Sequence, residues 1–233
     1  MFPYLVWLRE TDSTQRRLKE GNYPCGTVFV ADRQKEGKGR KGRRWESQEG
    51  GLYFSFVLCE EDFRDYAQLP LIVGFSVSEY LDSLGIRTAI KWPNDVYSRG
   101  RKISGVLVEK SSNKIVVGIG LNVNQDSFPK ELENSAISMK LASGKEYDRK
   151  RVLTSLLDFL SKNLNDYREK GFTAFKERIE DKLLFKEEEV VILGEEPVVG
   201  ILVGIDDNGH LLLQTSEGLK SIAAGDLSLR LYR

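Results

Sequence analysis

The chain has 233 residues, 30% charged and 40% hydrophobic, with thirty-five basic side chains balanced by thirty-five acidic ones. That length suits one large domain, or a domain with a small appendage, whose core needs neither a disulfide scaffold nor a structural metal. A net charge of zero argues against non-specific nucleic-acid binding through a global field, so any anion site must come from local clustering.

In chain order, Tyr4 to Leu8 reads as a strand, and Asp12-Ser13-Thr14 offers N-cap side chains for a short helix that stops at Gly21-Asn22. Thr27 to Ala31 is a second strand. Arg33 to Glu49 is a polar loop with glycines at 37, 39 and 42, and a long irregular segment inside a compact domain is functional or disordered. Leu52 to Leu58 resumes as a strand. From Ala67 to Leu84 apolar residues recur at helical spacing, with Gly85 as the C-terminal cap. Short runs at Ala89-Ile90, Asp95 to Tyr97, Ile103 to Glu109 and Ile115 to Leu121 are separated by turn signals, which predicts hairpins. Two or three helices fill Ser135 to Leu184, the clearest carrying Val152, Leu156, Leu157, Phe159, Leu160 and Leu164 as its apolar stripe.

Beyond Lys186 the texture becomes all-β, with runs at Val190 to Leu193, Val198 to Ile205, Leu211 to Gln214, Leu219 to Ala223 and Leu227 to Tyr232. This predicts an α+β (α/β) domain over 1–184, with a mixed or antiparallel sheet against helices, and a small SH3-like barrel over 185–233. Cys25 and Cys59 each lie in an apolar, strand-like stretch without cysteine or histidine at zinc spacing, so reduced, buried thiols are expected. The opening apolar run lacks a basic n-region and a cleavage site, and no run reaches transmembrane length. A soluble, cytoplasmic protein is expected.

Three constellations carry chemistry. Arg33, Lys35, Lys38, Arg40, Lys41, Arg43 and Arg44 crowd one glycine-rich loop, where bare backbone approaches a ligand closely and guanidinium forks meet phosphate or carboxylate. The loop is neither a P-loop nor a dinucleotide fingerprint, since no GK[ST] follows Gly42 and no helix opens after Gly39. Trp45, just past it, suits stacking on a base. In Lys91-Trp92-Pro93-Asn94-Asp95 the proline stiffens the backbone, so Lys91 is a well-placed point charge, although a plain hairpin corner accounts for the same residues. Gly118 and Gly120 leave bare backbone on one strand face, which signals either tight packing or a ligand. The lone histidine, His210, reads as a turn residue, and its isolation argues against histidine-based triads.

In this order, Asp12-Ser13-Thr14, the segment Ala31 to Arg43, Lys91 to Asp95, Arg101 to Glu109 and Gly118 to Asn122 resemble the biotin protein ligase family across nearly the whole chain. The resemblance implies activation of biotin by MgATP to biotinyl-5′-AMP, then transfer to a lysine of a biotin carboxyl carrier protein, the acetyl-CoA carboxylase subunit. It implies Lys91 and Arg40 as catalytic cations. Ser13, Thr14, Gln15, Gln34, Lys38, Gly39, Arg40, Lys91 and Gly105 would bind biotin, and Lys38, Arg40, Arg43, Trp45, Lys102 and Asn122 would bind ATP and the adenylate. Mg2+ would arrive with ATP and not at a protein metal site. Arginine commonly stands in the family where this chain has Lys38, and asparagine where it has Gln15, so the contacts of those two side chains are open. The start of the chain near the catalytic motifs predicts a monofunctional type with no DNA-binding domain and no nucleic-acid or membrane partner; a homodimer is expected. The rival within the superfamily is a lipoate or octanoate ligase or transferase. The rival from another class is a nucleic-acid binder using loop 33–45.

Overall fold

The computed structural model describes residues 1–63, 66–194, 196–223 and 228–232. Two sheets organise them. The larger has seven strands: β1 (Tyr4–Thr11), β2 (Thr27–Gln34), β3 (Leu52–Cys59), β4 (Ala89–Lys91), β5 (Asp95–Ser98), β6 (Arg101–Ser111) and β7 (Lys114–Leu121), in spatial order β1-β2-β3-β7-β6-β5-β4. Only the β1–β2 pair is parallel, because α1 (Thr14–Glu20) carries the chain back between them; the remaining neighbours are antiparallel.

One face of this sheet is covered by α2 (Leu69–Ser83), α4 (Arg149–Lys170) and α5 (Thr173–Glu180), with the short α3 (Met139–Ser143) preceding α4. Helix α2 is buried on most of its surface because it lies between the sheet and α4. Helix α4 is amphipathic: Val152, Leu153, Leu156, Leu157, Leu160 and Leu164 are buried at helical spacing, and the Asp148 carboxylate caps the backbone N–H groups of Lys150 and Arg151. The opposite face carries α1, whose Leu18 packs on Phe29, Val57 and Val116. That face also keeps the row of residues that form the cavity described below.

The smaller sheet is antiparallel, with β8 (Glu189–Leu193), β9 (Val198–Ile205), β10 (Leu211–Thr215), β11 (Gly218–Ile222) and β12 (Ser228–Leu231) in the order β11-β10-β9-β8-β12. The fold class is the predicted one, a mixed sheet packed on helices plus a small all-β unit. Leu227, predicted to open the last strand, lies outside the described residues. One hydrophobic cluster runs through both parts, from Phe54 and Ile72 to Leu202 and Leu213. Among the described residues no helix is long and apolar enough to cross a membrane.

The cysteines depart from expectation. Cys25 and Cys59 form a disulfide, with Cα atoms 5.4 Å apart. They stand 34 positions apart in the chain, but Cys25 lies just before β2 and Cys59 closes β3, and the antiparallel pairing of these strands brings them together. The Gly26 N–H donates to the Val57 carbonyl at 2.8 Å beside the bridge.

Candidate active site

A cavity of about 450 Å³ opens on the α1 face of the large sheet. It is built across adjacent strands. At one side, the Thr14 backbone N–H and hydroxyl donate to Gln34 Oε1 at 2.8 and 3.1 Å, and the same hydroxyl lies 2.8 Å from Ser55 Oγ. The Gln34 amide nitrogen donates to Ser47 Oγ at 3.0 Å, and Ser47 donates to the Trp45 carbonyl at 3.0 Å. A chain of hydroxyls and amides thus lines the β2–β3 side and ties it to the basic loop. Ser13 caps α1 by accepting from Arg16 N–H. Gln15 lines the same side but turns its amide nitrogen to Glu109 Oε2 and the Val116 carbonyl.

The middle of the floor is bare backbone. Tyr53, Gly120, Gly105 and Asp95 form one cross-strand row over β3, β7, β6 and β5, with Ser55, Gly118 and Leu107 as the neighbouring row. The Trp45 indole lies on this floor: a Cβ at Gly120 would sit 2.2 Å from its Cε2, and one at Gly105 2.8 Å from its Cζ3. Both glycines are required by this close approach, not by their backbone angles. Trp45 Nε1 is buried without an acceptor.

Cations gather at the β6–β5 side. Lys102 Nζ pairs with Asp95 Oδ1 at 2.7 Å and stands 5.0 Å from the Trp45 ring centroid. Strand parity alone would put Lys102 on the opposite face from Gly105. A β-bulge prevents this: Asp95 pairs with Gly105 and Val96 with Ser104, but Tyr97 pairs with Lys102, so Ile103 is the extra residue. The bulge turns Lys102 to the face shared by Gly105, Asp95 and Tyr97. Arg40 Nη1 donates to Asn94 Oδ1 at 3.1 Å, and the Asn94 amide donates to the Val106 carbonyl at 2.8 Å. Lys38, Gly39, Arg43 and Arg44 also line the cavity, with the Gly39 N–H bonded to the Arg43 carbonyl at 2.7 Å. Lys41 takes the left-handed conformation at φ 59°, followed by Gly42 at 67°.

Lys91, placed by the sequence as the catalytic ammonium, is not among the residues lining the cavity. It is 8% exposed, and its Nζ lies 5.3 Å from the Tyr97 ring centroid and 5.8 Å from that of Phe185. Burial, reinforced by Arg230 and by the more weakly acting Lys102 and Arg43, brings its pKa down to about 8 against the opposing pull of Asp95. Asn122 does line the cavity, but its amide is spent internally: its nitrogen donates to the Ile137 carbonyl at 3.2 Å and its oxygen accepts from Gln125 at 3.3 Å. Ser55, Asp95, Tyr97 and Arg230 are cavity residues that sequence reasoning did not assign to the site. Arg230 comes from β12 of the small sheet, 128 positions after Lys102, and no local pattern marks it.

The profile of the biotin/lipoate A/B protein ligase family matches residues 7–126, and that of the biotin protein ligase C-terminal domain matches residues 187–230. The bifunctional ligase/repressor BirA of Bacillus subtilis is 36% identical over 240 residues, spanning 95% of this chain and 72% of its own length. The biotin–[acetyl-CoA-carboxylase] ligase of Mycobacterium tuberculosis is 31% identical over 213 residues, covering 87% of this chain and 78% of its own. The chain belongs to the biotin protein ligase family. The solved structure of the Aquifex aeolicus biotin protein ligase in complex with biotin and ATP is 50% identical to this ligase-family chain, with a TM-score of 0.96 over 99% of this chain and all of that one. The apo structure of the A. aeolicus ligase superposes with a TM-score of 0.91 at 47% identity.

Proposed function

We propose that this protein is an ATP-dependent biotin–protein ligase, which joins biotin to AMP in the sheet cavity and passes it to a lysine of a biotin carboxyl carrier protein. The observation that carries the reading is the order of chemistry across the strands. Hydroxyls and amides stand on β2 and β3, bare glycines on β7 and β6, and cations gather at the β6–β5 end, with Lys102 on β6 and the loop residue Arg40 bonded to Asn94 just before β5. Strands lie about 4.8 Å apart, so about 10 Å separates the polar side from β6. That span fits a compact polar head at one end and a carboxylate at the other.

Biotin's ureido group needs donors and acceptors together, and Thr14, Gln34 and Ser55 supply both. Its acyl chain would cross the glycine floor toward Lys102. In this reading Lys102, not Lys91, meets the carboxylate and then the α-phosphate, giving up Asp95 to do so. Two anions must meet in this step, and the local cations Lys102, Arg40, Arg43 and Arg230 lower that barrier in a chain of zero net charge. The carboxylate oxygen attacks the α-phosphorus, the bond to the bridging oxygen breaks, and pyrophosphate leaves. The carrier amine then attacks the acyl carbon and AMP departs. The loop that follows Gln34, fixed to the floor through Trp45, keeps water from the mixed anhydride. Lys91 contributes positive potential from behind Tyr97.

Mg2+ enters as part of the nucleotide substrate; among the described residues no group of three or more metal-ligating side chains occurs. A homodimer belongs to the same reading, and it is supported by two stretches of the large sheet that are unpaired among the described residues, the outer edge of β1 and the part of β6 beyond Val106. Lipoate places an apolar dithiolane where this cavity has buried hydroxyls and amides, which would lose water without gaining a partner. Pyrophosphate exchange into MgATP, run in parallel with biotin, lipoate and octanoate, tests the assignment. Exchange that requires biotin is expected; exchange with lipoate or octanoate alone would refute it.

A further inference from the structure

Arg230 is the small sheet's contribution to the cavity, so something must fix where that sheet sits. The contacts that do so converge on the segment around Lys91. Leu184 N–H donates to the Ile90 carbonyl at 2.8 Å, and Ile90 N–H donates to the Lys182 carbonyl at 2.6 Å, so the chain leaving α5 is stitched to β4. One residue after β4, the buried Trp92 sends its Nε1–H to the Gly209 carbonyl at 3.0 Å, across 117 positions. Gly209 lies in the turn between β9 and β10, at φ 78°, and a Cβ there would come within 3.2 Å of both Leu71 and Phe172. The turn is itself held rigid: Asp206 Oδ1 accepts from the backbone N–H groups of Asn208 and His210 at 2.9 Å, and its Oδ2 accepts from the Ser221 hydroxyl at 2.7 Å.

We propose that Trp92 is a positioning residue, whose hydrogen bond to the Asp206–His210 turn sets the small sheet so that Arg230 meets the nucleotide phosphates. The inference rests on the ligase reading above. Its physical basis is reach. Trp92 follows Lys91 directly, and the cation that acts most strongly on Lys91 is Arg230. The hydrogen bond is buried and directional, so losing it leaves the Gly209 carbonyl without a partner and frees the turn to shift. A guanidinium fork is sensitive to such a shift, because its two parallel hydrogen bonds to phosphate need fixed geometry.

Trp92→Phe keeps an aromatic ring in the core and removes the N–H together with part of the indole bulk. In biotin-dependent pyrophosphate exchange, this variant is expected to raise the KM for ATP about 3- to 10-fold, the equivalent of one weakened hydrogen bond, while leaving the KM for biotin within about twofold. If Trp92 acts through Arg230, the Trp92→Phe/Arg230→Ala double variant has the ATP KM of Arg230→Ala alone. An unchanged ATP KM, equal rises for both substrates, or multiplying effects in the double variant would overturn the proposal. Asp206→Ala loosens the same turn from the other side and is expected to give the same ATP-selective pattern; it decides the matter if Trp92→Phe does not fold. Wild-type protein with no biotin-dependent exchange would instead sink the ligase reading, so the two failures are distinguishable.

Discussion

The hydroxyl of Thr14 shows how a single residue serves two purposes. Read along the chain it belongs to a helix start, and the structure does begin α1 there with Ser13 as cap. Its second purpose, bridging Gln34 and Ser55, depends on strand pairing that no local pattern reveals. Thr14→Val keeps the shape and removes the bridge, so the KM for biotin is expected to rise about 10-fold or more, with the KM for ATP little changed, in exchange kinetics. Lys102 is the sharper case. Its residue type and its place in RKISG were visible, but the bulge at Ile103 that aims it was not, so the sequence favoured Lys91 on its stiff proline segment. Lys91 instead makes a prediction about stability. Its folded pKa of about 8 lies below the ordinary lysine value of 10.5, so the unfolded chain holds more protons between those limits. Stability therefore rises as pH climbs from 8 to 10.5, and the cost of the buried charge is present in full below 8. Lys91→Met is expected to stabilise the fold at pH 7 by about 1–3 kcal/mol, an advantage that fades toward pH 10.5, as measured by urea unfolding at both ends.

At the scale of elements, the helices and strands were legible wherever periodicity was strong. The apolar stripe of α4 and the apolar runs of β3 and β7 are examples. The segment from Arg33 to Glu49 stood out by its length and charge as functional or disordered, but neither the extension of β2 to Gln34 nor the loop's anchoring was legible: Trp45 reaches two glycines on strands 60 and more positions away. The disulfide failed to register for the same reason, since the β2–β3 register that joins Cys25 to Cys59 is a tertiary fact. The bridge closes a ring that contains β2, the basic loop and β3, and it sits at the ends of these strands away from Gln34 and Leu52. Closing a ring of that size restricts the unfolded chain by about 3–4 kcal/mol. Reduction with dithiothreitol, or Cys25→Ser, is expected to lower the thermal midpoint clearly while leaving exchange activity at 25 °C nearly intact. A loss of activity without a change in midpoint would contradict that separation.

For the molecule as a whole, the texture change after Lys186 announced a second, all-β unit, and the structure has it. The sequence could not show how closely that unit is tied to the first. One hydrophobic cluster crosses between the sheets, Glu180 Oε1 accepts from the Ile205 N–H at 2.9 Å, and Trp92 reaches Gly209. Such continuity makes the two parts unfold together, so calorimetry is expected to give a single transition with matching calorimetric and van't Hoff enthalpies; two separated transitions would contradict it. The same joint places Arg230 at a cavity built on the large sheet, α1 and the loops that flank them. The central claim is that this cavity activates biotin with Lys102 as its anion-holding cation. Its most direct test is biotin-dependent pyrophosphate exchange on Lys102→Ala beside Lys91→Ala. Loss of about 100-fold or more is expected for Lys102→Ala, against no more than about 10-fold for Lys91→Ala; the reverse order, or full exchange without Lys102, would contradict the account.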